Sequence, residues 1–348
     1  MSATDPMLSQ QQTCSNAACS FGSDSKCVEG YALDECPHLS APSVKDIAVV
    51  EEHKVEPEPA RKVMSLAAGL ALQRADASEM QRRHVSRVIG LVGPNESGKT
   101  SLIAGLYDLF QAGPVAGVGF AGSTTLVGLE KTCHDARAAS RRTAPHTERT
   151  SSGADATFFH LDLAQTSGNV RSLFIGNRSG EDYLAATDQL VHANEFFELR
   201  RADCITLLVN GEQLADGTQR HEVKAATPQI IDALIESKAI RKGCRLAIVL
   251  TKKDAVLKSP HAERAQREFE GLVHAISTAH SAHLGEIQHF VVAASPKDSE
   301  LVPRGDGVGD LLLYWLEAPT PSTVPGPEPH AGFDRMFDRF AVNQDGIR

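Results

Sequence analysis

Arg87-Val88-Ile89-Gly90-Leu91-Val92-Gly93-Pro94-Asn95-Glu96-Ser97-Gly98-Lys99-Thr100 is the stretch on which the reading of this chain turns. Its first six residues, apolar after Arg87, have the length of a buried strand, and residues 101–110 continue at helical spacing. Between them lies the complete G-x-x-x-x-G-K-[ST] pattern, in the strand–loop–helix setting that gives it meaning. Glycines let the backbone curl so that its N–H groups converge on an anion, and the positive end of the following helix adds to the attraction. The stretch therefore predicts a phosphate loop in which Gly93, Asn95, Glu96, Ser97, Gly98, Lys99, Thr100 and Ser101 surround a nucleotide. Lys99 pairs with the β- and γ-phosphates, and Thr100 offers its hydroxyl to Mg2+. Glu96 is the odd residue, a carboxylate beside phosphates, expected to turn outward or to meet a cation.

Outward from this loop, strands and helices alternate between 86 and 318. Residues 158–163 and 170–175 read as two strands joined by the turn Thr166-Ser167-Gly168-Asn169. Further strands are expected at 205–209, 246–250 and 290–294, with helices at 229–237, 262–279 and 308–316. The pattern predicts an α/β domain with a mostly parallel sheet, one antiparallel hairpin, and helices on both faces. Residues 61–84 are expected to form a helix packed on that domain, following a charged linker that begins at 46.

A phosphate loop does not choose a base. Thr251-Lys252-Lys253-Asp254 follows a strand directly, about 150 residues beyond the loop, and fits an [NT]-K-x-D pattern. A carboxylate can accept both N1–H and the 2-amino group of guanine, whereas adenine offers neither in that geometry. Asp254 is thus the expected discriminating residue, with Lys252 along the base plane and Thr251 opening the motif. Ala294-Ser295 after the last strand supplies a third base contact, through backbone N–H to guanine O6.

The order of these motifs resembles a Ras-like (TRAFAC-class) P-loop GTPase domain. More narrowly, 120–126 (FAGSTTL) and the segment running from Cys14 to Cys36-Pro37-His38 resemble bacterial double-GTPase proteins. That resemblance implies a nucleotide-gated regulatory component, encoded with partner proteins in multi-gene systems, some of them proposed to act in conflict or defence. It also assigns switch residues. Thr124 or Thr125, with Thr125 preferred, contacts Mg2+ and the γ-phosphate. Gly180 gives its N–H to the γ-phosphate, and Glu181 stands where relatives carry a water-orienting glutamine, so Lys99, Glu181 and Thr125 form the expected catalytic set. The usual D-x-x-G reads Asn177-Arg178-Ser179-Gly180: Asn177 keeps the shape of the aspartate but loses its charge, which predicts weaker Mg2+ binding and slow turnover, with Arg178 as a compensating charge. The expected activity is slow, partner-stimulated GTP hydrolysis. The alternatives are a GTP-binding adaptor with little hydrolysis, and an ATPase.

Net charge of −9 among 348 residues argues against nucleic acid as the main partner. No apolar run reaches membrane-spanning length and the first residues lack a signal-peptide pattern, so a soluble cytoplasmic protein is expected. Four of the seven cysteines, Cys14, Cys19, Cys27 and Cys36, crowd residues 1–45. They suit tetrahedral Zn2+; the alternative is a disordered thiol-bearing leader. Residues 319–348 hold a proline-rich linker and then Phe333, Met336, Phe337 and Phe340 on one helical face, which either packs back on the domain or docks a partner.

Overall fold

The computed structural model describes residues 13–14, 39–40, 69–134, 153, 155–165 and 168–317. The chain divides into two units, Met1–Ser65 and Leu66–Arg348. In the first, strands β1 (Thr13–Cys14) and β2 (Leu39–Ser40) pair antiparallel, with Cys14 opposite Leu39. Cys19, Cys27 and Cys36 lie outside the described residues, as do the linker from 46 and the tail from 318.

The second unit runs α1 (Arg74–Arg83), β3 (Ser86–Val92), α2 (Lys99–Ala112), β4 (Gly119–Gly122), α3 (Leu126–His134), β5 (Thr157–Ala164), β6 (Val170–Asn177) and α4 (Gly180–Asp188). After a 3-10 turn come α5 (Phe197–Arg201), β7 (Cys204–Asn210), α6 (Gly211–Ala215), α7 (Arg220–Glu236), β8 (Arg245–Thr251), α8 (Lys253–Lys258), α9 (Ala262–His280), β9 (Ile287–Val291) and α10 (Val308–Leu316). The strands form one sheet in the order β4-β5-β6-β3-β7-β8-β9. From β6 to β9 every neighbouring pair is parallel; β5 runs antiparallel to both β6 and β4.

Every residue of β7 and β8 is buried, as central strands of a parallel sheet covered on both faces must be. Alternation sorts their side chains. Leu208, Ala247 and Val249 join α2, α3 and α10 in one core. Leu207, Val209, Ile248 and Leu250 join α4, α7 and α9 in the other. The hairpin expected from Thr166-Ser167-Gly168-Asn169 is β5–β6, whose register runs unbroken from Thr157 opposite Asn177 to Ala164 opposite Val170.

Three local expectations change. Among the described residues the helix expected over 61–84 begins only at Arg74. Leu72 has helical spacing but instead exchanges backbone hydrogen bonds with Phe158 at 2.8 and 2.9 Å, because the edge of β5 offers its N–H and C=O partners. The last strand lies three residues earlier than 290–294: Ala293 leaves the ladder to pair with Asp306. Finally, β4 adds a second antiparallel pair, in a stretch with no alternating pattern to announce it.

The topology determines where a ligand can sit. From β3 the chain turns to one side of the sheet for β4–β6 and returns on the other for β7. The loop after β3 therefore lies at the C-terminal edge where strand order reverses, the crevice at which open α/β sheets bind ligands.

Candidate functional site

The loop 93–98 is held from below by its neighbours. The Asn210 side-chain amide, at the end of β7, donates to the Glu96 carbonyl at 3.0 Å, while its Oδ1 caps α6 by accepting from Gln213 N–H at 3.2 Å. The buried Thr251 hydroxyl donates to the Ser97 carbonyl at 2.8 Å. Thr251, the first residue of the expected base motif, thus supports the phosphate loop. At Gly93, with φ +153°, a Cβ would meet the Leu208 carbonyl and Ser97 Oγ, each at 2.8 Å, so only glycine passes here. Glu96 is exposed with φ +60°. This left-handed backbone costs a non-glycine residue about 1 kcal/mol and is maintained by the Asn210 bond.

Two polar groups in the loop have the character of an anion site. Ser97 Oγ is wholly buried and has no hydrogen-bond partner among the described residues. Lys99 is buried, and among the described residues its ammonium donates only to backbone carbonyls, Gly93 at 2.8 Å and Pro94 at 3.0 Å. Burial pulls its pKa down from 10.5 to about 8, against a partial upward pull from Asp182. A buried ammonium hydrogen-bonded to neutral acceptors has no directly bonded counter-charge, and phosphate oxygens would supply one. Thr100 and Ser101, half-buried in the first turn of α2, complete this edge.

The turn after β6 closes on the loop. A Cβ on Gly180 would stand 2.3 Å from Asn95 N and 2.4 Å from the Pro94 carbonyl carbon, so this glycine permits backbone-to-backbone approach. Asn95 Nδ2 donates to Glu181 Oε1 at 2.8 Å, which brings the expected water-orienting carboxylate to the phosphate loop. Tyr183 anchors α4 beneath it by donating to the Leu91 carbonyl at 2.9 Å. Arg178 is committed elsewhere. It is buried, bonds Glu198 at 2.7 Å, approaches Asp182 at 3.5 Å and lies over the Phe196 ring. Burial alone would lower its pKa, but the Glu198 pairing raises it overall. These contacts join the turn before α4 to α5; Asn177, which ends β6, is buried.

At the far end of the crevice, Asp254 is buried and its Oδ2 accepts the Lys297 backbone N–H at 2.9 Å, which ties the base motif to the loop carrying Ala294 and Ser295. Gly105 of α2 backs that loop: a Cβ there would lie 2.6 Å from the Ala294 carbonyl oxygen. Lys252, with φ +55°, places its ammonium 2.9 Å from Glu212 Oε2. Phosphate loop, Gly180-Glu181 turn and base motif are thereby gathered along one edge. A family model described as Double-GTPase 2 matches residues 87–316, more than half of the chain.

The chain belongs to the Double-GTPase 2 family.

This double-GTPase chain is similar to the signal recognition particle receptor SRb-GTP/SRX complex from Chaetomium thermophilum, at 16% identity and TM-score 0.35 over 61% of this chain and 91% of that one. It is similar also to the mammalian SRP receptor, at 15% identity and TM-score 0.35 over 66% of this chain and 100% of that one. No curated protein matches it.

One expected residue of the double-GTPase site stands apart. Thr125 is fully buried; its hydroxyl accepts from His160 N–H at 2.9 Å and lies 3.3 Å from the His160 carbonyl. Thr124 N–H donates to His160 Nδ1 at 3.1 Å. Thr124 Oγ1 also lies 3.2 Å from His160 Nδ1, so both threonines are docked on β5 and these hydroxyl contacts must open before either is free for a metal ion. Among the described residues no three His, Cys, Asp or Glu side chains gather to hold a metal. Sequence reasoning missed Asn210 and Glu212, although Asn-x-x-Gln at 210–213 is a recognisable helix-start pattern. No helix among the described residues is long and apolar enough to cross a membrane.

Proposed function

We propose that this GTPase-family chain is a regulatory switch that binds GTP with Mg2+ and hydrolyses it slowly unless stimulated by a partner protein. The observation that carries the reading is the seating of Gly180 and Glu181 on the phosphate loop, through the Asn95–Glu181 bond at 2.8 Å and backbone contact at Gly180. A group that occupies the γ-phosphate position would meet that turn, so its presence or loss would be felt by α4. Lys99 and Ser97 would bind phosphate oxygens, Asp254 with Lys252 would read guanine, and the backbone at Ala294-Ser295 would meet O6. Glu181 would orient water.

Mg2+ fits this donor set. It favours oxygen ligands, retains waters and needs few protein groups when phosphates are present; the Thr100 hydroxyl at the head of α2 is such a group, and Thr125 joins it only if released from His160. Bound there, the ion would neutralise phosphate charge. With Asn177 in place of the usual aspartate, its hold is weaker and turnover slower. The same residue favours the second reading, a GTP-binding adaptor with little hydrolysis.

The remaining proposals concern partners. The N-terminal cysteines Cys14, Cys19, Cys27 and Cys36 form a Zn2+ site, supported by their thiolate count and their crowding within residues 1–45. The apolar tail bearing Phe333 and Phe340 docks other proteins of a bacterial multi-gene system in the cytoplasm. Nucleotide extracted from purified protein and single-turnover hydrolysis by wild type, Lys99→Ala and Asn177→Asp test the whole. Guanine nucleotide and faster turnover in Asn177→Asp are expected. Retained adenine nucleotide would overturn the reading, and tight GTP binding without turnover, even with the proteins of neighbouring genes, leaves the adaptor. Stoichiometric zinc in full-length protein supports the metal site; its absence argues for a thiol-bearing leader.

A further inference from the structure

Glu212 has no part in any motif, yet it lies among the base-reading residues. It is the second residue of α6, a helix whose start is set by Asn210, the side chain that also holds the phosphate loop. Its two carboxylate oxygens are divided between two ammonium groups. Oε2 lies 2.9 Å from Lys252 Nζ and Oε1 lies 2.9 Å from Lys297 Nζ. Hydrogen bonding to Lys252 holds its pKa below the ordinary carboxylate range despite partial burial.

These two lysines flank Asp254. Lys252 precedes it by two residues, and the backbone N–H of Lys297 donates to Asp254 Oδ2 at 2.9 Å. An ammonium paired with Asp254 would occupy the acceptor oxygens that guanine's N1–H and 2-amino groups require. Among the described residues, both ammonium groups pair with Glu212 and neither with Asp254. From this juxtaposition we infer that Glu212 determines base specificity: by engaging Lys252 and Lys297 it keeps the Asp254 carboxylate available to the guanine edge. The inference rests on the GTP reading above and deepens it. Glu212 acts through Asp254, so it is a positioning residue.

The test compares equilibrium binding of GTP and ITP, which lacks the 2-amino group, by full-length wild type, Glu212→Gln and Glu212→Gln/Lys297→Gln. In Glu212→Gln the freed ammonium groups turn to Asp254, and GTP affinity should fall about fivefold, the scale of a partly exposed charge pair. ITP affinity should fall less, so the GTP/ITP preference narrows. Removal of one freed ammonium in the double variant should restore part of that preference. A purely structural role would lower both affinities equally and give no rescue, and that result would overturn the inference, as would an unchanged preference. If wild type binds no guanine nucleotide, the GTP reading fails and takes the inference with it; wild type that binds GTP while Glu212→Gln discriminates as well removes only the role of Glu212.

Discussion

Raising the pH should weaken nucleotide binding through one lysine. In the ligand-free protein Lys99 is buried against the Gly93 and Pro94 carbonyls, with its pKa pulled down from 10.5 to about 8. Phosphate oxygens favour the charged form, so nucleotide binding raises that pKa again. At about pH 9 roughly nine-tenths of free protein carries neutral Lys99, and binding must take up a proton; affinity should fall about tenfold for each further unit. Titration calorimetry at about pH 8.5, in buffers of different ionisation enthalpy, should report uptake of roughly 0.8 proton per GTP, and much less near pH 6.5 for this group. The same shift sets the stability of the ligand-free chain. Unfolded Lys99 holds its proton through the window from 8 to 10.5 while folded Lys99 releases it. The buried charge therefore costs its full amount below about pH 8, and the cost is relieved as pH rises through that window, by about 3 kcal/mol in all. Lys99→Met should accordingly abolish GTP binding and yet raise the melting temperature of ligand-free protein at neutral pH. Tight GTP binding at pH 8.5 without proton uptake, together with a less stable Lys99→Met variant, would refute the argument.

Asp254→Asn should weaken GTP and shift preference toward xanthine nucleotides, read by competition binding; unchanged preference would remove Asp254 from the base site. Gly180→Ala places a Cβ 2.3 Å from Asn95 N, an overpacking that should cost about 1–3 kcal/mol in denaturant unfolding and separate α4 from the loop. Thr251→Val leaves the buried Ser97 carbonyl without the hydroxyl now 2.8 Å away, a loss of about 1–3 kcal/mol, with nucleotide affinity falling although Thr251 touches the loop and not the base.

The elements that sequence reading located best are those whose patterns are dictated locally. Residues 87–92, 205–209 and 246–250 are apolar runs broken only by Arg87 and Thr206, because their strands are covered on both faces, and the structure extends each by only one or two residues. Edges were harder. The pairing of Leu72 with Phe158 and the short β4 depend on which partner lies alongside: Leu72 sits in a helical spacing, and β4 has no alternation to announce it.

The same division runs through the site. By itself the sequence pointed to 93–100, the Gly180-Glu181 turn and Asp254 as the groups of a nucleotide site, because glycine spacing, a lysine next to the loop and a carboxylate after a strand are properties of contiguous residues. Only the tertiary structure decided what those groups do for one another. It made Thr251 a support for the loop, committed Arg178 to Glu198, docked Thr125 on His160 and set Glu212 between two lysines. Each of these pairs is separated by 20 or more residues in the chain, and its energy comes from burial and charge shared across elements that the sheet alone brings together.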